Sequence, residues 1–229
     1  MRMLGFKASL QTFRWDLVYL RAQTITDERP EVKALAVPVE GLLSQIAAER
    51  DALEKAEDAV IVAAALVNKR DRSRDEVLVE AGGVARATDR AVYEVLFPSH
   101  SPTATARLGV AAESAQVSRI LGELAKLPAD HPLRKEYESE LQDAEAAVKS
   151  AVAQNDDAAT ALALQRSQID RFKLAMDKAR LETHGQLVAL LKDKAAAESF
   201  FRPTTRSPSE EATEASPDPA APPQAPAGG

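Results

Sequence analysis

The longest regular feature of this sequence is a stripe of apolar residues that begins at Tyr137 and ends at Leu190. Its members follow one another at alternating steps of four and three residues for more than seven heptads. Such steps return to one face of an α-helix, and a helix with an apolar stripe must bury it against other helices. The stripe therefore predicts a long helical segment that packs as in a coiled coil. Four polar residues interrupt it, namely Asn155, Gln165, Thr183 and Gln186.

Asn155 allows two interpretations. At a core position of a coiled coil, an asparagine can set register and oligomeric state at some cost in stability. Alternatively, Asn155 ends one helix and the acidic pair after it, Asp156 and Asp157, starts the next, since acids at a helix start favour the helix dipole. We favour the second interpretation, which divides the segment into helices over 132–155 and 157–199.

The amino-acid composition agrees with a helical protein. Aromatic residues make up 4% of the chain and glycine only 9 of its 229 residues, while Ala, Leu and the charged residues are abundant. Strands favour β-branched and aromatic residues, so this composition favours helices. We predict an all-α protein that folds as an elongated antiparallel helical bundle of about six helices.

The prolines indicate an internal repeat. Pro30 and Pro132 stand 102 residues apart, and both suit the first turn of a helix, where a missing N–H has no partner to lose. The closing segments 96–98 (LFP) and 200–203 (FFRP) have nearly the same separation. The spacing predicts two tandem three-helix units, 1–98 and 103–202. The six predicted helices are 7–27, 31–70, 74–97, 103–126, 132–155 and 157–199.

The polar run 68–76 (NKRDRSRDE) decides whether the first long helix is interrupted. Ser73 and Glu76 fit the S-x-x-E capping box that starts a helix. An unbroken helix over 31–97 would be about 100 Å long, more than the next helix could cover. We therefore predict a turn at 71–74, and an unbroken helix covered by a partner chain is the alternative. Only the turn would tolerate Arg72→Pro.

The first helix is predicted to lie deep in the core. Its spaced apolar residues are Phe6, Leu10, Phe13, Leu17 and Leu20, and Trp15, Val18 and Tyr19 widen their face. Such an aromatic group either anchors a core or forms a platform for a ligand. We favour the core role.

Three local features carry their own expectations. Pro38 should kink the second helix or separate residues 31–37 as a short turn. The pair Gly82-Gly83 is unfavourable inside a helix by roughly 1 kcal/mol per glycine relative to alanine, so it indicates either a close helix approach or a kink. Phe200 and Phe201 are predicted to close the end of the bundle, and a docking motif shown by the tail is the alternative.

The last segment, 203–229, is predicted to be a disordered acidic tail. It holds seven of the 13 prolines of the chain and no Val, Ile, Leu, Met or aromatic residue. A segment of this composition cannot bury enough apolar area to offset the entropy of ordering. The helical bundle is therefore expected to end near residue 202.

Residues that could carry chemistry are few. The chain has no cysteine, which excludes disulfides, thiolate zinc sites and a cysteine nucleophile. His100 and His131 fall in predicted loops, His184 is expected to be exposed, and none has the spacing of a helical metal site. Glycine-rich phosphate loops and nucleophile-elbow motifs do not occur. The sequence therefore identifies no catalytic, cofactor-binding or metal-binding residue, and no cofactor.

Charge and hydropathy limit the classes of partner that we expect this chain to bind. The net charge of −6 and the alternating charges in 68–76 make nucleic acid an unlikely partner. The most continuous apolar run, 59–67 (AVIVAAALV), is far shorter than the roughly 20 residues of a membrane span. Since no segment resembles a signal peptide, we expect a cytoplasmic protein without membrane contact.

The expected function is non-enzymatic. Helices with apolar stripes and little recognisable chemistry are typical of proteins that act through protein–protein contacts, as scaffold, adaptor or assembly subunit, with a protein partner or self-association. The alternative is a binding module for a small ligand or metal inside the bundle, near Trp15 and Tyr19.

Overall fold

A computed structural model describes residues 3–203 of the chain. Within this range there are eight helices and no strand, so the prediction of an all-α protein is confirmed. The tail predicted to be disordered lies outside the described residues, apart from Pro203. The helices are α1 (Leu10–Thr26), α2 (Pro30–Ala34), α3 (Ala36–Thr88), α4 (Arg90–Leu96), α5 (Pro102–Thr105), α6 (Val110–Leu124), α7 (Pro132–Leu191) and α8 (Lys194–Glu198).

The chain divides into two compact units. The first unit holds residues 3–46 and 173–203, and the second holds 47–172. Each unit thus contains the beginning of one long helix and the end of the other. This division differs from the tandem sub-units 1–98 and 103–202 expected from the sequence.

The predicted turn at 71–74 and the predicted break near Asn155 are both wrong. Helix α3 runs without interruption for 53 residues and α7 for 60. Ser73 and Glu76 are therefore exposed residues within a helix and not a capping box, and Asp156 and Asp157 begin no helix. The alternative of an unbroken helix is correct, and α7 of the same chain packs along one side of it.

Contacts in the second unit show that α3 and α7 run antiparallel. The Tyr137 hydroxyl donates to Glu80 Oε1 at 3.2 Å, and Gln165 Nε2 donates to Glu49 Oε2 at 2.6 Å. The stripe that the sequence predicts is confirmed from Tyr137 to Thr183, since each of its members is buried or half-buried. Beyond Thr183 the buried position shifts from Gln186 to Leu187.

The core of the second unit lies where α6 and α4 join the two long helices. Its buried residues come from the end of α3, the beginning of α7 and both shorter helices. They include Leu78, Ala85, Leu96, Phe97, Val117, Ile120, Leu124, Leu133 and Leu141.

The two units are built alike. Each unit contains one shorter helix that packs beside the long helices (α1 or α6). Each also contains a helix of five to seven residues that follows a long helix and is capped by an aspartate (α8 or α4). Asp89 accepts from the N–H groups of Ala91 and Val92, and Asp193 does the same for the first residues of α8. Helices α2 and α7 start at Pro30 and Pro132 as predicted. The two units therefore share this order of helices and the aspartate caps, although they are not the tandem units predicted from proline spacing.

The first helix departs from its prediction. It begins at Leu10 with Ser9 as N-cap, so Phe6 lies outside the helix and is exposed. Trp15 is 41% exposed and Val18 is also exposed, so the predicted core role of Trp15 is wrong. The buried face is narrower than expected because Asp16, and not an aromatic residue, fills its edge.

Two further predicted helices are each divided in the structure. Asp89 caps a new helix, which separates α4 from α3. Gly109 caps α6, which separates it from the short α5 within predicted helix 103–126. In both cases a residue in extended conformation at the N-cap position interrupts the helical backbone.

Three local expectations are confirmed. Helix α2 ends before Pro38, which sits in the first turn of α3. At Gly82 a Cβ atom would lie 2.1 Å from Pro102 Cγ, so this glycine permits a close approach of α5. Phe200 and Phe201 are buried.

Candidate interaction surface

The middle of the second unit exposes apolar side chains on both long helices. We call residues 59–67 of α3 and 158–164 of α7 the apolar patch; neither run contains a charged residue. Ile61, Val62 and Leu164 are 66%, 68% and 63% exposed. A helix that is apolar on all its faces is ordinarily buried on all of them. The patch therefore has the composition of a contact surface.

Only one residue of the apolar patch, Ala63, is buried. At this level α3 and α7 contact each other along a single seam, whereas α6 and α4 add cover where the core of the unit lies. The exposed apolar residues thus follow from the absence of a third helix within the described part of the chain.

An open groove of about 570 Å³ runs along the apolar patch. Its floor includes Val60 and Leu162, and Arg166 and Asp170 stand at one end. An apolar centre with a charged rim is the usual anatomy of a protein–protein interface.

A buried ionic cluster lies further along the same unit, around Arg74. The Arg74 side chain is 0% exposed. Its Nη2 atom lies 2.6 Å from Asp71 Oδ1 and 3.0 Å from Glu113 Oε2. Its Nη1 atom donates to Glu145 Oε2 at 2.8 Å. Helices α3, α6 and α7 each contribute a carboxylate, so Arg74 ties the three helices together.

Glu113 has a strongly raised pKa, about 8 against an ordinary 4.5. Burial is the main cause, and a hydrogen bond shared with Asp75 adds to it, while Arg74 opposes it. Glu113 Oε2 lies against Arg74, but as carboxylates Glu113 and Asp75 leave two buried oxygens, Glu113 Oε1 and Asp75 Oδ1, without a hydrogen-bond donor among the described residues. A proton on Glu113, donated to Asp75, supplies one.

This pKa predicts an unusual pH dependence of stability. Between about pH 4.5 and 8 the folded protein keeps the Glu113 proton that the unfolded chain releases. The free energy of unfolding should therefore fall as pH rises through this window. Denaturant titrations of the wild type and Glu113→Gln at pH 5, 6.5 and 8 would measure it. The difference between the two proteins should shift in favour of Glu113→Gln as pH rises; a pH-independent difference would contradict the assignment.

The same cluster has the donor set of a cation site. Carboxylate oxygens of Asp71, Asp75 and Glu113 lie within 4.8 Å of one another. Arg74, however, already places a guanidinium against two of these residues. A metal ion there would be repelled by Arg74, so we interpret the group as a structural ionic cluster.

The first unit contains a related cluster around Arg180. Its Nε atom donates to Asp16 Oδ2 at 2.6 Å, and Nη1 donates to Asp177 Oδ1 at 2.5 Å. Asp177 also accepts from the backbone N–H groups of Leu4 and Gly5. In both units the arginine follows an aspartate by three residues and reaches an acid on the short helix, so both clusters have a structural role.

The three histidines differ in their exposure and in their neighbours. His100 is in an exposed connection, and His131 Nε2 lies 3.8 Å from Asp89. His184 is half-buried, its ring centroid 5.7 Å from that of Phe201, so the predicted exposure is wrong. Burial lowers the pKa of His184. No histidine belongs to a group of possible metal ligands in the described range.

The aromatic residues of α1 form no enclosed site. The Arg202 guanidinium lies 5.2 Å from the Trp15 ring centroid, at the surface. A groove of about 110 Å³ in the first unit is lined by residues that include Leu17, Val39 and Arg180, and not by Trp15 or Tyr19.

The chain matches no protein-family model, no curated protein and no solved structure. Among residues 3–203, no helix combines the length and the apolar character needed to cross a membrane. The described part of the chain is therefore characterised by its own features, namely an all-α fold in which α3 and α7 run antiparallel in the second unit, and an exposed apolar patch on that unit.

Proposed function

We propose that this protein acts by binding protein through the apolar patch, as an assembly or scaffold component and not as an enzyme. The exposure of Ile61, Val62 and Leu164 on two charge-free helix segments is the observation that supports the proposal. Exposed apolar clusters of this kind, rimmed by polar residues, mark contact surfaces in proteins.

A matched pair of substitutions tests this proposal. Val62 and Val37 both lie on α3 and are 68% and 70% exposed, but only Val62 belongs to the apolar patch. Val62→Glu should weaken association at least tenfold, because it buries an unpaired carboxylate in the contact. Val37→Glu should not. Both should unfold within about 0.5 kcal/mol of the wild type, since both positions are exposed.

Association is measured in two ways with the full-length chain. Sedimentation velocity reports self-association, and an amine cross-linker applied to cell extract reports other partners. Lys55 and Lys69, both exposed, flank the α3 part of the patch and can react. If Val62→Glu leaves every complex of the wild type unchanged, the patch is not a binding surface and the proposal fails.

A further inference from the structure

Charges flank the apolar run of α3 in an asymmetric way. Before it, residues 51–58 contain four acids and one lysine. After it, residues 68–72 contain three basic residues and one acid, Asp71, which belongs to the Arg74 cluster. All these flanking charges except Asp71 are exposed. One end of the apolar run is therefore negative and the other positive.

One face of α3 carries this asymmetry in its simplest form. Glu54, Ile61, Ala65 and Arg72 follow at steps of seven, four and seven residues, which places them on one helix face. All four are exposed. Along the face the order is negative, apolar, apolar, positive.

The charges on this face match those on the same face of a second copy only when the two α3 helices run in opposite directions. If a second α3 lies antiparallel and centred between Ile61 and Ala65, Glu54 of each copy stands opposite Arg72 of the other. Ile61 then stands opposite Ala65, whose small side chain lets the helices approach. In a parallel pair, Glu54 would face Glu54 and Arg72 would face Arg72, and like charges in register are unfavourable.

We infer that the partner of the α3 part of the apolar patch is a second copy of this chain, with the two α3 helices packed antiparallel. The inference rests on the proposed function, since it names the partner of the same surface. The two-fold contact joins one patch to the same patch, as in most homodimers.

The C-terminal segment of the chain is a poor alternative occupant. Residues 203–229 contain no Val, Ile, Leu, Met or aromatic residue that could fill the groove. Their net charge is also negative, which matches only one end of the patch.

The size of the surface sets the strength of the dimer. The nine residues of the α3 run extend only about 14 Å along the helix, so we expect the contact to bury less than the roughly 800 Å² per partner of a standard interface. We expect a dimer that dissociates in the micromolar range and tightens at low salt, because its rim pairs are exposed.

Charge reversal tests the partner and its orientation together. Glu54→Lys places lysine opposite Arg72 of the other copy, and Arg72→Glu places glutamate opposite Glu54. Each variant alone should dimerise about tenfold more weakly than the wild type. An equimolar mixture of the two should recover dimers, since every flanking pair in the mixed dimer is again of opposite sign. The double variant Glu54→Lys/Arg72→Glu should recover them as well.

Sedimentation equilibrium of the full-length proteins at low salt, from about 1 to 200 μM, measures each dissociation constant. Circular dichroism confirms that each variant keeps its helicity. A wild type that stays monomeric throughout overturns the inference, and so does a mixture that associates no more tightly than its separate components. Either result leaves the proposed function standing if Val62→Glu still removes a complex with another protein.

Discussion

Replacing Arg74 by methionine is expected to lower the free energy of unfolding by about 3–5 kcal/mol. Removal of one member of a buried ion cluster leaves the others as uncompensated charges in a low-dielectric interior. Arg74 is the central cation for carboxylates on three helices. Methionine keeps a flexible side chain of similar length, so the loss reports mainly the missing charge.

The control for this substitution is Arg72→Met. Arg72 is two residues earlier on α3 and is exposed, so its replacement should change stability by less than about 0.5 kcal/mol. Adding Glu145→Gln to Arg74→Met should restore part of the loss, because the neutral amide removes the carboxylate that the guanidinium had paired. Urea denaturation of the four proteins gives the values, and a loss below about 1 kcal/mol for Arg74→Met would show that the cluster does not hold the helices together.

Arg72→Pro should be the second strongly destabilising change, by about 3 kcal/mol or more. Proline removes the N–H that bonds the carbonyl of residue 68 and its ring clashes with that carbonyl, in the interior of a helix without interruption from Ala36 to Thr88. Thermal unfolding followed by circular dichroism measures the effect, with Arg72→Ala as control. If Arg72→Pro were as stable as Arg72→Ala, α3 would contain the turn that the capping-box pattern suggested.

The two arginine clusters each join the long helix of one repeat to the short helix of the other. Arg74 stands on the long helix of the first repeat and pairs with Glu113 on the short helix of the second. Arg180 stands on the long helix of the second repeat and pairs with Asp16 on the short helix of the first. Each compact unit therefore depends on residues from both halves of the sequence, and neither half holds a complete core.

Each long helix thus packs against the short helix of the other half, and this explains why the sub-unit boundaries could not be predicted from the sequence. Proline spacing indicated the repeat, since Pro30 opens the short helix that precedes α3 and Pro132 opens α7 itself. The spacing says nothing about which short helix a long helix packs against, because that choice depends on contacts distant in sequence. The predicted sub-units followed chain order, whereas the compact units combine segments from both halves.

Arg74 shows the same limit at a single residue. Arg74 lies in the polar run 68–76, and such a run favours a turn between helices, because an isolated buried charge is very unfavourable. The interpretation fails when acids from other helices surround the charge, as Glu113 and Glu145 do here. No local pattern around Arg74 announces partners that lie 39 and 71 residues away.

The apolar patch is partly visible in the sequence. The run 59–67 lacks any charge, and its length argued against a membrane span. Its lack of charge on every helix face also predicts burial from several sides. Whether that burial comes from this chain depends on which helices lie beside the run, and within residues 3–203 its contacts are with α7.

What the sequence determined by itself was the helical class, the helix-opening prolines and the long buried stripe of α7, because periodicity and capping depend on neighbours within a few turns. Tertiary structure alone decided that α3 and α7 run unbroken, that Arg74 and Arg180 are buried, and that Ile61, Val62 and Leu164 are left exposed. Each of these depends on which helix packs against which. That pairing comes from the balance of burial and charge across the whole fold.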